Sequence, residues 1–140
     1  MDFNMVGPIL ALTLSSIGST IGCYIAGAAS HAAMSRTDEG HGKFIGLSAG
    51  PSSQCIYGFI LMLLMSRAIL AGTLSPISGI AMGLFAGLAI GLTAIAQGKV
   101  CATAIQATLK DPSLFGKCFA SVGIIESFAL FTFVFCMLIM

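Results

Sequence analysis

Four long apolar runs, separated by short polar segments, make up almost the whole chain. They cover residues 6–34, 44–66, 77–98 and 118–140. Each run reaches the roughly 20 residues that an α-helix needs to cross a bilayer, and none alternates as a barrel strand does. The pattern predicts an all-α membrane protein with four transmembrane helices. We expect the third helix to continue to Leu109, and Pro51 to interrupt the second.

The two halves of the chain repeat. A shift of 72 residues pairs Gln54 with Glu126 and Phe59 with Phe131. Residue size agrees better than identity, which indicates a duplicated helical hairpin in parallel orientation. The first hairpin, residues 1–72, lacks the carboxylate, and the second, residues 73–140, carries it.

Composition agrees with this picture, since 57% of the 140 residues are hydrophobic and only 8% are charged. A soluble domain carries about a quarter charged residues. No basic run points to nucleic acid. The five cysteines contain no CxxC pair, so we interpret them as small packing residues rather than metal ligands or disulfides.

Basic residues predict the orientation. Arg36, Lys43, Lys110 and Lys117 flank the connections after the first and third helices. The positive-inside rule places the loops at residues 35–43 and 110–117 in the cytoplasm and both termini outside it. Arg67 alone runs against this prediction.

Small residues recur every four positions in the first and third helices. The stripes are Gly7, Ala11, Ser15, Ser19, Cys23 and Gly27, and Gly79, Gly83, Gly87 and Gly91. Such stripes let helix backbones approach closely in lipid. They indicate either packing inside one bundle or a narrow inner layer of a closed ring, with the bulkier second and fourth helices outside.

Glu126 is the candidate functional residue, because it is the only acid in the fourth run. An acid at the centre of a membrane helix costs about 3 kcal/mol on insertion scales, so stability alone does not explain it.

Oxygen donors on other helices complete a candidate site. Pro51 lacks an N–H, so carbonyls near Leu47 and Gly50 are expected to lose helical partners and to line a polar site. The side chains of Ser53, Gln54, Gln97 and Glu126 can converge from three helices. An all-oxygen site suits an alkali cation, whereas a proton needs only the acid and a partner. Other roles remain open: the glutamines can link helices, and Ser53 can bond to its own helix. Tyr57, at helical spacing from Gln54, is expected to donate to Glu126.

These residues resemble the proteolipid ring subunit (c or K) of V-type and V/A-type rotary ATPases, closest to the sodium-binding branch. The resemblance covers nearly the whole chain. It is most specific in the segment from Pro51 to Phe59, in the segment Ala96–Val100 and at Glu126. It implies that Na⁺ is bound by the Gly50 carbonyl, Ser53, Gln54, Gln97 and Glu126, with Tyr57 bonding the carboxylate. Ser53 stands where the family has threonine, and Gly50 where it has a bulkier residue.

The resemblance also implies a mechanism and partners. Identical subunits form a rotor ring in lipid, and each Glu126 carries Na⁺, or alternatively H⁺, between two half-channels of a stator subunit. The cytoplasmic loops face central-stalk subunits, and no cofactor is expected. The ring subunit itself is non-catalytic, since ATP chemistry belongs to other subunits. The alternatives are a small four-helix proton-coupled multidrug exporter and a structural proteolipid without a transport role.

Overall fold

The structure, a computed structural model, describes residues 3–140. Over these residues it is all-helical, with 3-10 turns at Gly50–Ser52 and Pro112–Leu114. The helices are α1 (Val6–Met34), α2 (His41–Ala49), α3 (Ser53–Leu70), α4 (Pro76–Lys110) and α5 (Phe115–Leu138). Since the first 3-10 turn joins α2 to α3, residues 3–140 contain four helical segments long and apolar enough to cross a membrane. The prediction of an integral, multi-pass, all-α membrane protein is confirmed.

The turn between α3 and α4 is built from residues suited to it. Gly72 adopts a φ of 77°, a left-handed conformation that residues with a Cβ rarely take. The Ser75 side chain accepts a hydrogen bond from the Ser78 N–H at 3.2 Å and caps α4. Pro76 then occupies the first helical position, where its missing N–H costs nothing. We propose this turn, at residue 72, as the boundary between the two hairpins.

The break between α4 and α5 has a similar origin. Pro112 follows Asp111, and the Asp111 carboxylate accepts a hydrogen bond from the Ser113 N–H at 2.9 Å. Hydrogen bonds from the hydroxyl and the backbone N–H of Ser113 lower the pKa of the Asp111 carboxyl. The charged carboxylate therefore holds the new helix start in place over the neutral pH range.

Helices α1 and α4 pack backbone against backbone. A Cβ added to Gly18 would overlap the backbone of Gly91, and one added to Gly98 would overlap that of Gly22. A Cβ added to Gly83 would likewise overlap the backbone of Gly7, so at this end of the helices the predicted small-residue stripes are close-packing surfaces. Within one chain, the predicted stripe on the first helix leaves this contact at its far end. A Cβ at Gly27 meets no atom within 4 Å.

The stripe leaves the contact because an α-helix does not have four residues per turn. A helix turns about 100° per residue, so a strict spacing of four drifts by about 40° at each step. The buried line on α1 therefore shifts after Ser15 to Gly18, Gly22 and Ala26. Cys23 is only half-buried and Gly27 lies beside the contact.

Helix α5 packs against the others along a single narrow line. Among residues 115–138, which the structure describes throughout, Val122 and Ala129 are the buried ones. Val122 joins a cluster with α1, α2 and α4, and Ala129 joins one with α1, α3 and α4. Several of its phenylalanines are about half exposed or more: Phe119, Phe128, Phe131 and Phe135. Glu126 lies between the two buried positions, so the acid faces the bundle and the phenylalanines face outward.

Candidate ion-binding site

Glu126 is half-buried on α5 and receives hydrogen bonds from α3 and α4. The Tyr57 hydroxyl donates to its Oε1 at 2.6 Å. The Gln97 Nε2 donates to its Oε2 at 2.6 Å, and the Gln54 Nε2 donates to the same oxygen at 3.3 Å. All three donors are uncharged. The carboxylate is thus solvated inside the bundle without losing its capacity to attract a cation.

The two glutamines also bond to each other. The Gln54 Nε2 donates to the Gln97 Oε1 at 2.7 Å, and the Gln97 Nε2 also donates to the Val122 carbonyl at 3.2 Å. Both side chains are buried, with exposed fractions of 0% and 1%. They therefore join three helices, α3, α4 and α5, at the level of Glu126. The linking role and the site role, which the sequence leaves as alternatives, coexist in the same two residues.

The backbone next to this network is a 3-10 turn, not a helix with open carbonyls. The Leu47 carbonyl accepts from the Gly50 N–H, and the Gly50 carbonyl accepts from the Ser53 N–H. The Leu47 carbonyl loses its α-helical donor at Pro51 as expected, but the expectation that these carbonyls stay open is wrong. Pro51 removes one bond of the α-helix, and the chain tightens locally so that each carbonyl finds a donor three residues on.

Ser53 connects the turn to the glutamines. Its hydroxyl lies 3.1 Å from the Gly50 carbonyl and 3.1 Å from the Gln54 Oε1. A hydroxyl has one hydrogen, so the two acceptors share it. Ser53 therefore bonds to the backbone of its own segment and to the Gln54 side chain of the site at the same time. The oxygen atoms of residues 50, 53 and 54 are therefore linked through the Ser53 hydroxyl, and the Gln54 amide connects them to the carboxylate.

The structure brings every predicted site residue into one connected network. These residues are Gly50, Ser53, Gln54, Tyr57, Gln97 and Glu126. It also adds residues that the sequence reasoning missed. The Phe133 ring stacks on Tyr57 at 5.8 Å between centroids, and the Val122 carbonyl holds Gln97. Both lie on the face of α5 that carries Glu126, so helical spacing from that acid was the available signal.

The chemistry of this arrangement suits a small monovalent cation. A single carboxylate bonded by neutral groups carries one negative charge, which one monovalent ion cancels. The amide groups present oxygen after rotation about their last side-chain bond, since each carries both a donor and an acceptor.

Fold and site together define a class: membrane proteolipids made of two similar hairpins, with one carboxylate buried between helices. The family model for the C subunit of ATP synthase matches the chain twice, over residues 6–65 and 80–139. The chain belongs to this family, and the two matches confirm the tandem repeat of hairpins.

Two curated relatives agree with this membership. The chain is 38% identical over 112 residues to the A-type ATP synthase subunit K of Methanocaldococcus jannaschii. The aligned residues cover 80% of this chain and 50% of that protein. The chain thus spans about half the length of this relative. It is 32% identical over 138 residues to the V-type sodium ATPase subunit K of Enterococcus hirae. Here the aligned residues cover 96% of this chain and 87% of that protein.

Proposed function

We propose that this chain is a rotor-ring subunit of a V/A-type rotary ATPase, and that Glu126 carries Na⁺ across the membrane as the ring turns. Family membership supports the rotor role. The observation that supports the sodium assignment is that neutral polar groups from α3 and α4 gather around one carboxylate, where each amide can turn its oxygen toward an ion. A proton carrier needs only the acid and one partner. Here two buried amides donate to the acid, and Gln54 links it further to a hydroxyl and a carbonyl.

In the proposed cycle the ion neutralises Glu126 so that the loaded subunit can pass through lipid. An isolated charge in the bilayer is costly, and one bound cation removes it. A membrane stator subunit supplies two half-channels, and an arginine on it displaces the ion. Each charge moved is worth about 2.3 kcal/mol per 100 mV, so several ions must move for each ATP.

The repeat limits each subunit to one ion. Residue 54, the counterpart of Glu126 in the first hairpin, is a glutamine, and it contacts Glu126 in the same site. A ring of such subunits carries one ion per four helices. This ratio favours pumping ions at the expense of ATP over ATP synthesis.

The proposed orientation places the loops at residues 35–43 and 110–117 toward central-stalk subunits in the cytoplasm. The basic residues of these loops support it. The exporter alternative has no comparable support, since both hairpins match the same ATP synthase family.

Carbodiimide labelling tests the ion, because the reagent reacts with the protonated carboxyl of Glu126. We expect Na⁺ to protect purified protein from labelling in a concentration-dependent manner, at a pH where labelling proceeds without it. K⁺ at equal ionic strength is the matched control, and Glu126→Gln identifies the labelled residue. If the labelling rate is the same with and without Na⁺ at every pH, the sodium assignment is rejected and Glu126 is a proton carrier.

Native mass spectrometry tests the assembly. A closed ring of many copies is expected, and a dimer would support the exporter instead.

A further inference from the structure

The 3-10 turn at Gly50–Ser52 is held from two sides. On one side lies Pro51, which is fully buried against α1. A Cβ added to Gly22 of α1 would come within 2.7 Å of the Pro51 Cβ. On the other side lies Cys101 of α4, whose Sγ is 3.2 Å from the place where a Cβ on Gly50 would stand. The turn that carries a proposed ion ligand is therefore clamped between α1 and α4.

Gly50 is not required by the backbone at this position. Its φ of −45° and ψ of −53° lie in the right-handed helical region, which any residue can adopt. The position lacks a side chain for reasons of space. The sulfur of Cys101 occupies part of the volume that a side chain at residue 50 would fill, and the Val122 Cγ1 borders it at 3.8 Å.

Cys101 is well placed to influence the site. It is completely buried and lies four residues after Gln97, so the two side chains share one face of α4. Gln97 bonds to Glu126 and to the Val122 carbonyl, and the Val122 side chain borders Gly50. The thiol therefore lies beside the turn and in the same core cluster as Val122 of α5.

We propose that Cys101 is a positioning residue for the ion site: its sulfur fills the space beside Gly50 and thereby holds the Gly50 carbonyl where it can bind Na⁺. This inference rests on the proposed sodium function. The physical reason is that close-packed interiors transmit strain, and atoms that border a vacated space shift part of the way into it. Binding of an ion needs several ligands at once, whereas protonation of Glu126 does not. A shift of the Gly50 carbonyl away from the site should therefore lower the affinity for Na⁺ more than it changes protonation of the acid.

The packing predicts opposite effects for single and double substitutions. Cys101→Ala removes the sulfur and opens space beside the turn. Gly50→Ala adds a Cβ at 3.2 Å from the sulfur, a separation that forces one of them to move. Each single change should displace the carbonyl. The double variant, Gly50→Ala with Cys101→Ala, exchanges one atom for another in the same space and should restore the site.

The experiment measures the Na⁺ concentration that halves carbodiimide labelling of Glu126 in wild type, both single variants and the double variant. Each single variant should raise this concentration by about fivefold, the order expected for losing the packing of one heavy atom. The double variant should return to within about twofold of wild type. The labelling rate without Na⁺ should be the same in Cys101→Ala as in wild type. Cys136→Ala, which removes a half-buried thiol ten residues beyond Glu126 on α5, is the matched control.

Two outcomes overturn the inference separately from the proposed function. If Na⁺ protects wild type and Cys101→Ala equally, Cys101 does not position a ligand. If both single variants weaken protection and the double variant is no better, the effect is general damage to the fold. If Na⁺ fails to protect wild type itself, the sodium function falls and this inference with it.

Discussion

Replacing Gln97 with leucine tests the site most directly. Gln97 is 1% exposed and approaches Glu126 at 2.6 Å, and in the proposed site its side-chain oxygen is a sodium ligand. Leucine keeps nearly the same volume but offers neither oxygen nor N–H, so Gln97→Leu removes a ligand without opening a large cavity.

The size of the effect follows from the bonds that are lost. Polar contacts to a charged partner are worth about 1.5–3 kcal/mol each. Losing one such contact to the ion corresponds to a loss of affinity of about 10-fold to 150-fold. The Gln54 Nε2, which donates to the Gln97 Oε1 at 2.7 Å, also loses its nearest acceptor. We therefore expect the Na⁺ concentration for half-protection of Glu126 to rise by at least about tenfold.

The assay is the same carbodiimide labelling, run as a sodium titration at fixed pH and ionic strength. Gln106→Leu is the matched control, since Gln106 lies on the same helix but is exposed. It should leave the half-protection value unchanged. A Gln97→Leu protein that is protected at the wild-type sodium concentration would refute Gln97 as a ligand. It would reduce the glutamine pair to a link between helices.

Two further predictions address the packing and the carboxylate. Gly18→Ala places a Cβ into the Gly91 backbone and should lower the thermal midpoint of the detergent-solubilised protein, since overpacking costs about 1–3 kcal/mol. Gly27→Ala has open space and gains up to about 1 kcal/mol of helix propensity, so equal midpoints for the two variants would contradict the close contact of α1 and α4. Glu126→Gln should abolish ATP-driven sodium flux in reconstituted complexes while the ring still assembles. Flux at the wild-type rate would remove Glu126 from the mechanism.

Much of the fold followed from local properties of the chain. Run length and the absence of charge predict the four spans because a bilayer imposes a minimum length and excludes unpaired charge. The prolongation of the third helix follows from continued helix-forming residues up to the break at Asp111–Pro112, and α4 indeed ends at Lys110.

Local sequence patterns were poor guides where small rotations add up over several helical turns and where the backbone changes its hydrogen-bonding pattern. A four-residue spacing is a good guide over two turns of α1, but by Gly27 the drift has carried it off the contact. Pro51 was expected to leave backbone carbonyls without hydrogen-bond donors. The chain instead tightens to a 3-10 turn, in which these carbonyls accept from N–H groups three residues on. Neither outcome can be taken from the residue type alone, because the first depends on rotation accumulated along α1 and the second on a local change of backbone geometry.

The sequence by itself determined the membrane class, the duplicated hairpin and the lone acid, since each depends on hydrophobicity, length or repetition along the chain. It also supplied the candidate ligands, because oxygen-bearing side chains are conspicuous in apolar runs. Only the tertiary structure decided how these groups meet: that Gln54 and Gln97 bond to each other as well as to Glu126, and that Cys101 fills the space at Gly50. The physical reason is that contacts between α3, α4 and α5 depend on helix rotation and depth. Those are set by the close approach of α1 and α4 and by packing across the whole bundle.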